Sequence, residues 1–262
     1  MTQLTVGLPM YRSNLTAYAA FESLASQKNV DFEWELLIIE EEQGAYGLDN
    51  IREFVPRLKE VGCTRLEYVA TQKWVHLSHK WKKLAEMSSD SSSCFLLKAA
   101  DCYSQPYRLK ETYDIFTQDP GTDWVQSTKG YFYQLELQKL STFNHASPGY
   151  AHQCALNMSL RTDLLKRSRP AATNSVDRDL INAARTANGG EIKVVWNDSE
   201  NWQLGVDLDG ISNFSRDRKI LIDQGITPFE DTEAVLSDVV SAEMLEFIGS
   251  LEQYAANHRY MV

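Results

Sequence analysis

Residues 94–111 read CFLLKAADCYSQPYRLKE. The apolar run Phe95-Leu96-Leu97 has the length of a buried strand. It ends in a small-residue step that delivers a single carboxylate, Asp101, before a turn and a proline-led helix. In an open α/β sheet the carboxyl ends of the core strands form the rim where ligands bind. A lone acid at that position therefore asks for a chemical reason.

Working outward, strand and helix signals alternate through the first half of the chain. LTVGL (4–8), EWELLII (33–39) and RLEYVA (65–70) read as core strands before the one at 94–98. Between them, residues 15–27 place Leu15, Tyr18, Phe21 and Leu24 on one helical face, LDNIREFVPRLKEVG closes on Gly62, and a third helix runs from Ser78 to Met87. This order predicts a mostly parallel, twisted sheet flanked by helices. The second half offers strands in DWVQS, GYFYQLEL, CALNMSL and IKVVW, with a helix over DRDLINAARTAN. The stretches 88–93, 143–152 and 197–213 read as loops from their Ser, Asn, Gly and Asp content. From Arg216 onward the chain reads as a helical tail, and its strongest amphipathic stretch, 241–258, packs on the domain or pairs two copies of the chain.

A net charge of −10 argues against a general polyanion binder. Local basic stretches remain at KWVHLSHKWKK (73–83), RTDLLKRSR (161–169) and SRDRK (215–219). Cys63, Cys94, Cys102 and Cys154 lack metal or redox spacing and read as reduced thiols. No apolar run approaches the roughly 20 residues a bilayer crossing needs, and MTQLTVGLPMY has no charged-then-apolar leader, so a cytoplasmic protein without a membrane span is expected.

Acids mark a second strand end, where Glu40, Glu41 and Glu42 follow the run 33–39. Asp177 and Asp179 open a helix, where they complement its dipole; one of them facing a crevice would suit a general base. His76 and Lys80 are about one helical turn apart at the start of the helix before the Asp101 strand, a position suited to a base or a phosphate. Lys98 either offers charge to a diphosphate or points away. Trp74 and Trp81 read as core in preference to acceptor platforms, while Trp196, Trp202, Tyr131 and Tyr133 are candidate stacking surfaces for an acceptor.

These motifs, in this order, resemble the nucleotide-sugar glycosyltransferases of the GT-A fold, and in particular the large inverting group called family 2. The resemblance covers about residues 4–215. LTVGLPMYRSN is similar to the opening strand and turn, with Pro9 and Tyr11 retained. DFEWELLIIEEEQG is similar to the second strand, with Glu40 and Glu41 in place of paired aspartates. CFLLKAADCYSQPYRL resembles the strand, the D-x-D metal motif and the proline-led helix. VDRDL resembles the element that carries the base, and DGISNFS the final loop. The D-x-D is degenerate, with Ala99 in its first place, and the late metal-binding histidine is missing, leaving Asp209, or less favourably Asp207, to replace it.

The resemblance implies a nucleoside diphosphate sugar donor of the uridine type, and Mn²⁺ or Mg²⁺ held by Asp101 and Asp209. It implies that Pro9 and Tyr11 line the nucleobase pocket, that Glu41, or else Glu40, binds base or ribose, and that Asp177 is the base of an inverting displacement. It divides the chain into a catalytic domain, 1–215, with a nucleotide-binding half (1–103) and an acceptor half (104–215), and a helical extension, 216–262. The acceptor would be a glycan or a modified DNA base. Two other readings stand beside it: a non-catalytic binding or assembly protein on the same sheet, and a nucleotidyltransferase. The latter normally shows a Gly-rich loop after the first strand, and no glycine lies between Pro9 and Asn14.

Overall fold

The computed structural model describes residues 3–42, 45–127, 129–135, 138–144, 158–173, 176–197, 203–207, 229–233 and 235–258. Its first half alternates as expected: β1 (Leu4–Met10), α1 (Ala17–Ala25), β2 (Trp34–Glu41), α2 (Leu48–Glu60), β3 (Cys63–Thr71), α3 (Leu77–Met87) and β4 (Cys94–Leu97). Then come β5 (Cys102–Ser104), α4 (Arg108–Gln118), β6 (Trp124–Ser127), β7 (Lys129–Gln134), β8 (Lys139–Asn144), β9 (Met158–Arg161), α5 (Thr162–Arg167), α6 (Val176–Ala187) and β10 (Val194–Asn197). The described chain ends with β11 (Gln203–Asp207), β12 (Phe229–Asp231), α7 (Leu236–Val239) and α8 (Ala242–His258).

Seven strands form the main sheet in the order β10-β6-β9-β4-β1-β2-β3. All its pairings are parallel except those of β9, which runs antiparallel to both β4 and β6. Burial on both faces explains why β1 and β2 are continuous apolar runs with no alternation. On one face α1, α2 and α4 bury Phe21, Leu24, Phe54 and Leu109; on the other α3, α5 and α6 bury Trp81, Leu84, Leu164 and Ile181. Gly7 is required by this packing, because a Cβ there would lie 2.2 Å from Cζ of Phe95.

The β1–β4 pairing closes at Gly7 and Leu97, with the Lys98 amide donating to the Gly7 carbonyl. Pro9 follows two residues later on the same edge of β1, beyond the end of β4. Its missing N–H therefore breaks no ladder bond. The parting of β1 from β4 opens the rim of the sheet at Pro9, Met10 and the end of β4.

A second sheet, β12-β8-β7-β11-β5, lies beside the first. β11 corrects the expectation of a loop over 197–213: a strand runs through Gln203–Asp207, paired with β7 and β5. Its polar composition hid it, since its place is set by backbone pairing. The described tail is mostly helical, as expected, with one short strand, β12, that pairs with β8. Helix α8 packs on the domain as one of its two expected modes: Met244, Ile248 and Leu251 are buried with Ala19, Tyr103 and Tyr133. Cys63, Cys94 and Cys102 are free and buried; Cys154 is outside the described residues. No helix among the described residues is long and apolar enough to cross a membrane.

Candidate active site

Strand alternation sends Glu40 and Glu41 to opposite faces of β2, and the two have different partners. Glu40 accepts from the Tyr46 amide (2.6 Å), the Gly47 amide (3.1 Å) and the Tyr68 hydroxyl (2.9 Å). It braces the entry to α2. Glu41 turns toward α3, where it pairs with Lys80 and accepts from the Val75 amide at 3.2 Å. Both acids are buried. Of the two alternatives, Glu41 is the one in contact with the α3 residues of the site.

Lys80 joins three elements at the rim. Its buried ammonium pairs with Glu41, donates to the Met10 carbonyl at 3.2 Å and lies 5.5 Å from the centre of the Tyr11 ring. Burial lowers its pKa and the Glu41 carboxylate opposes that shift. Tyr11 is half-buried and also carries the Arg12 guanidinium 5.1 Å from its ring centre. Arg12 holds a left-handed backbone, φ 50°, which turns the chain away after β1. Pro9, Tyr11, Glu41 and Lys80 are thus brought to one place.

His76 caps α3. Its Nε2 faces the Thr173 carbonyl at 2.9 Å, so Nε2 carries the proton and Nδ1 accepts from the Ser78 amide at 3.3 Å. Thr173 in turn donates to Asp179 from its amide (3.0 Å) and its hydroxyl (2.6 Å). Ser78 adds a bond to the Ala171 carbonyl at 2.9 Å. These contacts tie the first turn of α6, which carries half-buried Asp177, to the rim at the start of α3. Asp179 is engaged in anchoring the helix start. The sequence reading missed Ser78 and Thr173, whose roles depend on contacts across more than 90 residues.

Asp101 is half-buried in the turn between β4 and β5, and its Oδ1 lies 3.3 Å from the Cys102 thiol. The expectation that Lys98 meets a diphosphate needs correction. Lys98 is fully buried, and its Nζ donates to the Cys102 carbonyl (2.6 Å) and the Ser104 hydroxyl (2.7 Å). Burial brings its pKa down to about 7. Trp74 is also corrected: it is 60% exposed beside His76, whereas Trp81 is core as expected. Of the acceptor candidates, Trp196 is exposed and Tyr133 is buried against Glu252. Asp209 and Trp202 are outside the described residues, as is the side chain of Asp207.

Among the described residues no group of three or more His, Cys, Asp or Glu side chains comes together as a metal cage. The carboxylate of Asp101 still fits a hard divalent ion of the kind that takes one or two protein carboxylates and completes its shell with substrate phosphates and water.

No protein-family model matches the chain, and no curated protein matches it by sequence. Solved structures do. TarS from S. aureus, residues 1–349, in complex with UDP-GlcNAc matches with a TM-score of 0.58 at 13% identity, over 80% of this chain and 60% of that one. Its UDP complex gives 0.59 at 13% identity, over 79% and 61%. The mannosyltransferase PcManGT from Pyrobaculum calidifontis, in complex with GDP-Man and Mn²⁺, gives 0.52 at 11% identity, over 78% and 56%. The fold is GT-A. At these identities the fold is what is shared, and the chain spans about three fifths of the length of the TarS fragment.

Proposed function

We propose that this chain is an inverting glycosyltransferase that moves a sugar from a nucleoside diphosphate donor, a UDP-sugar, to an acceptor hydroxyl. The observation that carries the reading is the cluster of Tyr11, Glu41 and Lys80 at the carboxyl rim of a GT-A sheet, with Asp101 in the turn after β4 of the same sheet. Solved neighbours on the same fold hold UDP, UDP-GlcNAc and GDP-Man, which supports the donor class.

In this reading Pro9 and the Tyr11 ring flank the base, and Glu41 accepts hydrogen bonds from base or ribose. Lys80 holds the Glu41 carboxylate in place through their ion pair and adds positive potential toward the phosphates. Glu40 shapes the pocket through the 45–47 turn, and His76 positions the start of α3. Asp101 would hold Mn²⁺ or Mg²⁺, with Asp209 as the second protein ligand. The bound ion would supply Lewis-acid stabilisation of the charge that grows on the departing diphosphate. Asp177 takes the proton from the acceptor hydroxyl as that oxygen bonds to the anomeric carbon. The bond from that carbon to the diphosphate oxygen breaks on the opposite face, which inverts the configuration.

One acceptor class is a modified DNA base, reached through the basic stretches 73–83 and 161–169, which meet where Lys82 Nζ donates to the Lys166 carbonyl at 2.5 Å. A glycan remains the other acceptor class. Thermal-shift measurements with UDP, GDP, CDP and TDP, each with and without Mn²⁺, test the donor reading through mass action. Stabilisation by UDP that grows with Mn²⁺ is expected. No shift with any of the four would defeat the proposal and leave a binding or assembly protein. Transfer assays on duplex DNA carrying hydroxymethylated bases and on oligosaccharides then separate the acceptors.

A further inference from the structure

The feature the proposed reaction leaves unexplained is Lys98. Its ammonium is fully buried, and its hydrogen-bond partners among the described residues, the Cys102 carbonyl and the Ser104 hydroxyl, are neutral oxygens. A buried ammonium without an ion-pair partner is costly, and an apolar side chain of similar volume is usually tolerated as well or better. Its surroundings share this character. Arg108, also buried, opposes its charge, and the carboxylate that favours it is Asp101.

The placement of these bonds shows what the lysine does. Lys98 directly follows β4, with its amide on the Gly7 carbonyl, and Cys102 begins β5. Residues 99–101 bridge the two strands as an arch, and the Lys98 side chain crosses beneath it to grip the far leg. From the other side that leg is held by the tail: Tyr103 is buried with Val239 and Met244, and Gln105 Nε2 donates to the Val239 carbonyl at 2.6 Å. Asp101 stands on the arch next to the residue that Lys98 holds.

We propose that Lys98 is a positioning residue for Asp101: its buried ammonium ties Cys102 and Ser104 to the end of β4 and so fixes the arch that presents the Asp101 carboxylate to a metal-bound diphosphate. The inference rests on the reading of Asp101 as a ligand of that metal. It also gives the degenerate motif a physical basis. With Ala99 in the first place of D-x-D, Asp101 is the one carboxylate left on the arch, and rigidity of the backbone that carries it compensates for the acid missing from the motif.

The test uses the full chain with Lys98→Met and Ser104→Ala. Mn²⁺ binding in the presence of UDP is followed by the electron paramagnetic resonance signal of free Mn²⁺, UDP binding in EDTA by calorimetry, and amide exchange of residues 99–105 in metal-free protein by mass spectrometry. Lys98→Met should weaken Mn²⁺ binding by about tenfold or more, as loss of a supporting contact to a metal ligand does. UDP binding in EDTA should be unchanged and exchange of the arch faster. Ser104→Ala should move the same two readouts less, and it decides the question alone if Lys98→Met does not fold. Unchanged arch exchange in the variants overturns the clasp, as does equal weakening of UDP binding with and without metal. If the unaltered protein takes up no Mn²⁺ with UDP, the metal reading of Asp101 fails, and the aiming role with it. The exchange data then still report whether Lys98 holds the arch.

Discussion

Lys80 and Glu41 form an ion pair in which each side chain keeps only 4–5% of its surface exposed. Breaking such a pair from one side leaves a buried charge and costs roughly 3–5 kcal/mol. Lys80→Met and Glu41→Gln should each lower stability by an amount of that order in urea unfolding. The double variant should recover part of it, because no lone charge remains, while UDP affinity stays lost. A double variant no more stable than the sum of the single losses would show that the two residues are not coupled.

Asp177 and Asp101 should fail in different ways. Asp177→Asn keeps the shape of the helix start and removes the base, so turnover should fall at least about a hundredfold with UDP binding retained. Asp101→Ala should weaken UDP binding in Mn²⁺ and leave it unaltered in EDTA. Steady-state kinetics and calorimetry on the two variants check this, and wild-type turnover in Asp177→Asn would remove that residue from the reaction.

His76 links binding to chemistry, since one nitrogen caps α3 and the other holds the segment leading to α6. His76→Ala should cost about 1 kcal/mol for the lost cap. It should also lower kcat more than it raises the donor KM, because the first turn of α6 loses an anchor. A loss of stability with kinetics intact would confine His76 to a structural role.

The buried ammonium of Lys98 gives stability a defined pH dependence. Its pKa falls from an ordinary 10.5 to about 7. Below that value both folded and unfolded chains hold the proton and the cost of burial is fully present. Between about 7 and 10.5 the unfolded chain binds more protons, so stability rises with pH. From pH 7 to about 8.5 the wild type should gain roughly 1.5 kcal/mol relative to Lys98→Met. Above pH 9 the thiols of Cys63 and Cys94, pushed up to about 12 by burial, act with the opposite sign. Urea unfolding of metal-free protein at the two lower pH values is the measurement, and parallel curves for the two proteins would show that the ammonium is not destabilised.

Local pattern was enough to order the chain. Apolar runs of strand length separated by amphipathic stretches specify alternating strands and helices, because side-chain period is a property of neighbours in sequence. Placing Glu41 and Asp101 at strand ends needed nothing more. What local pattern leaves open is direction and company. Glu40 and Glu41 are adjacent and chemically alike, and only the helices on either face of β2 give them different partners. Lys98 is polar and adjoins the rim, yet tertiary packing turns it under the arch.

The strand Gln203–Asp207 and the junction of His76 with Thr173 depend on pairing between distant segments, which leaves no periodic trace in either segment. The sequence by itself determined the class of sheet and the strand ends at which acids appear, since both follow from short-range sterics and hydrophobic period. Only the tertiary structure decided which of those acids are consumed in holding the fold and which are presented at the rim, because that depends on what each buried charge meets when the chain closes around it.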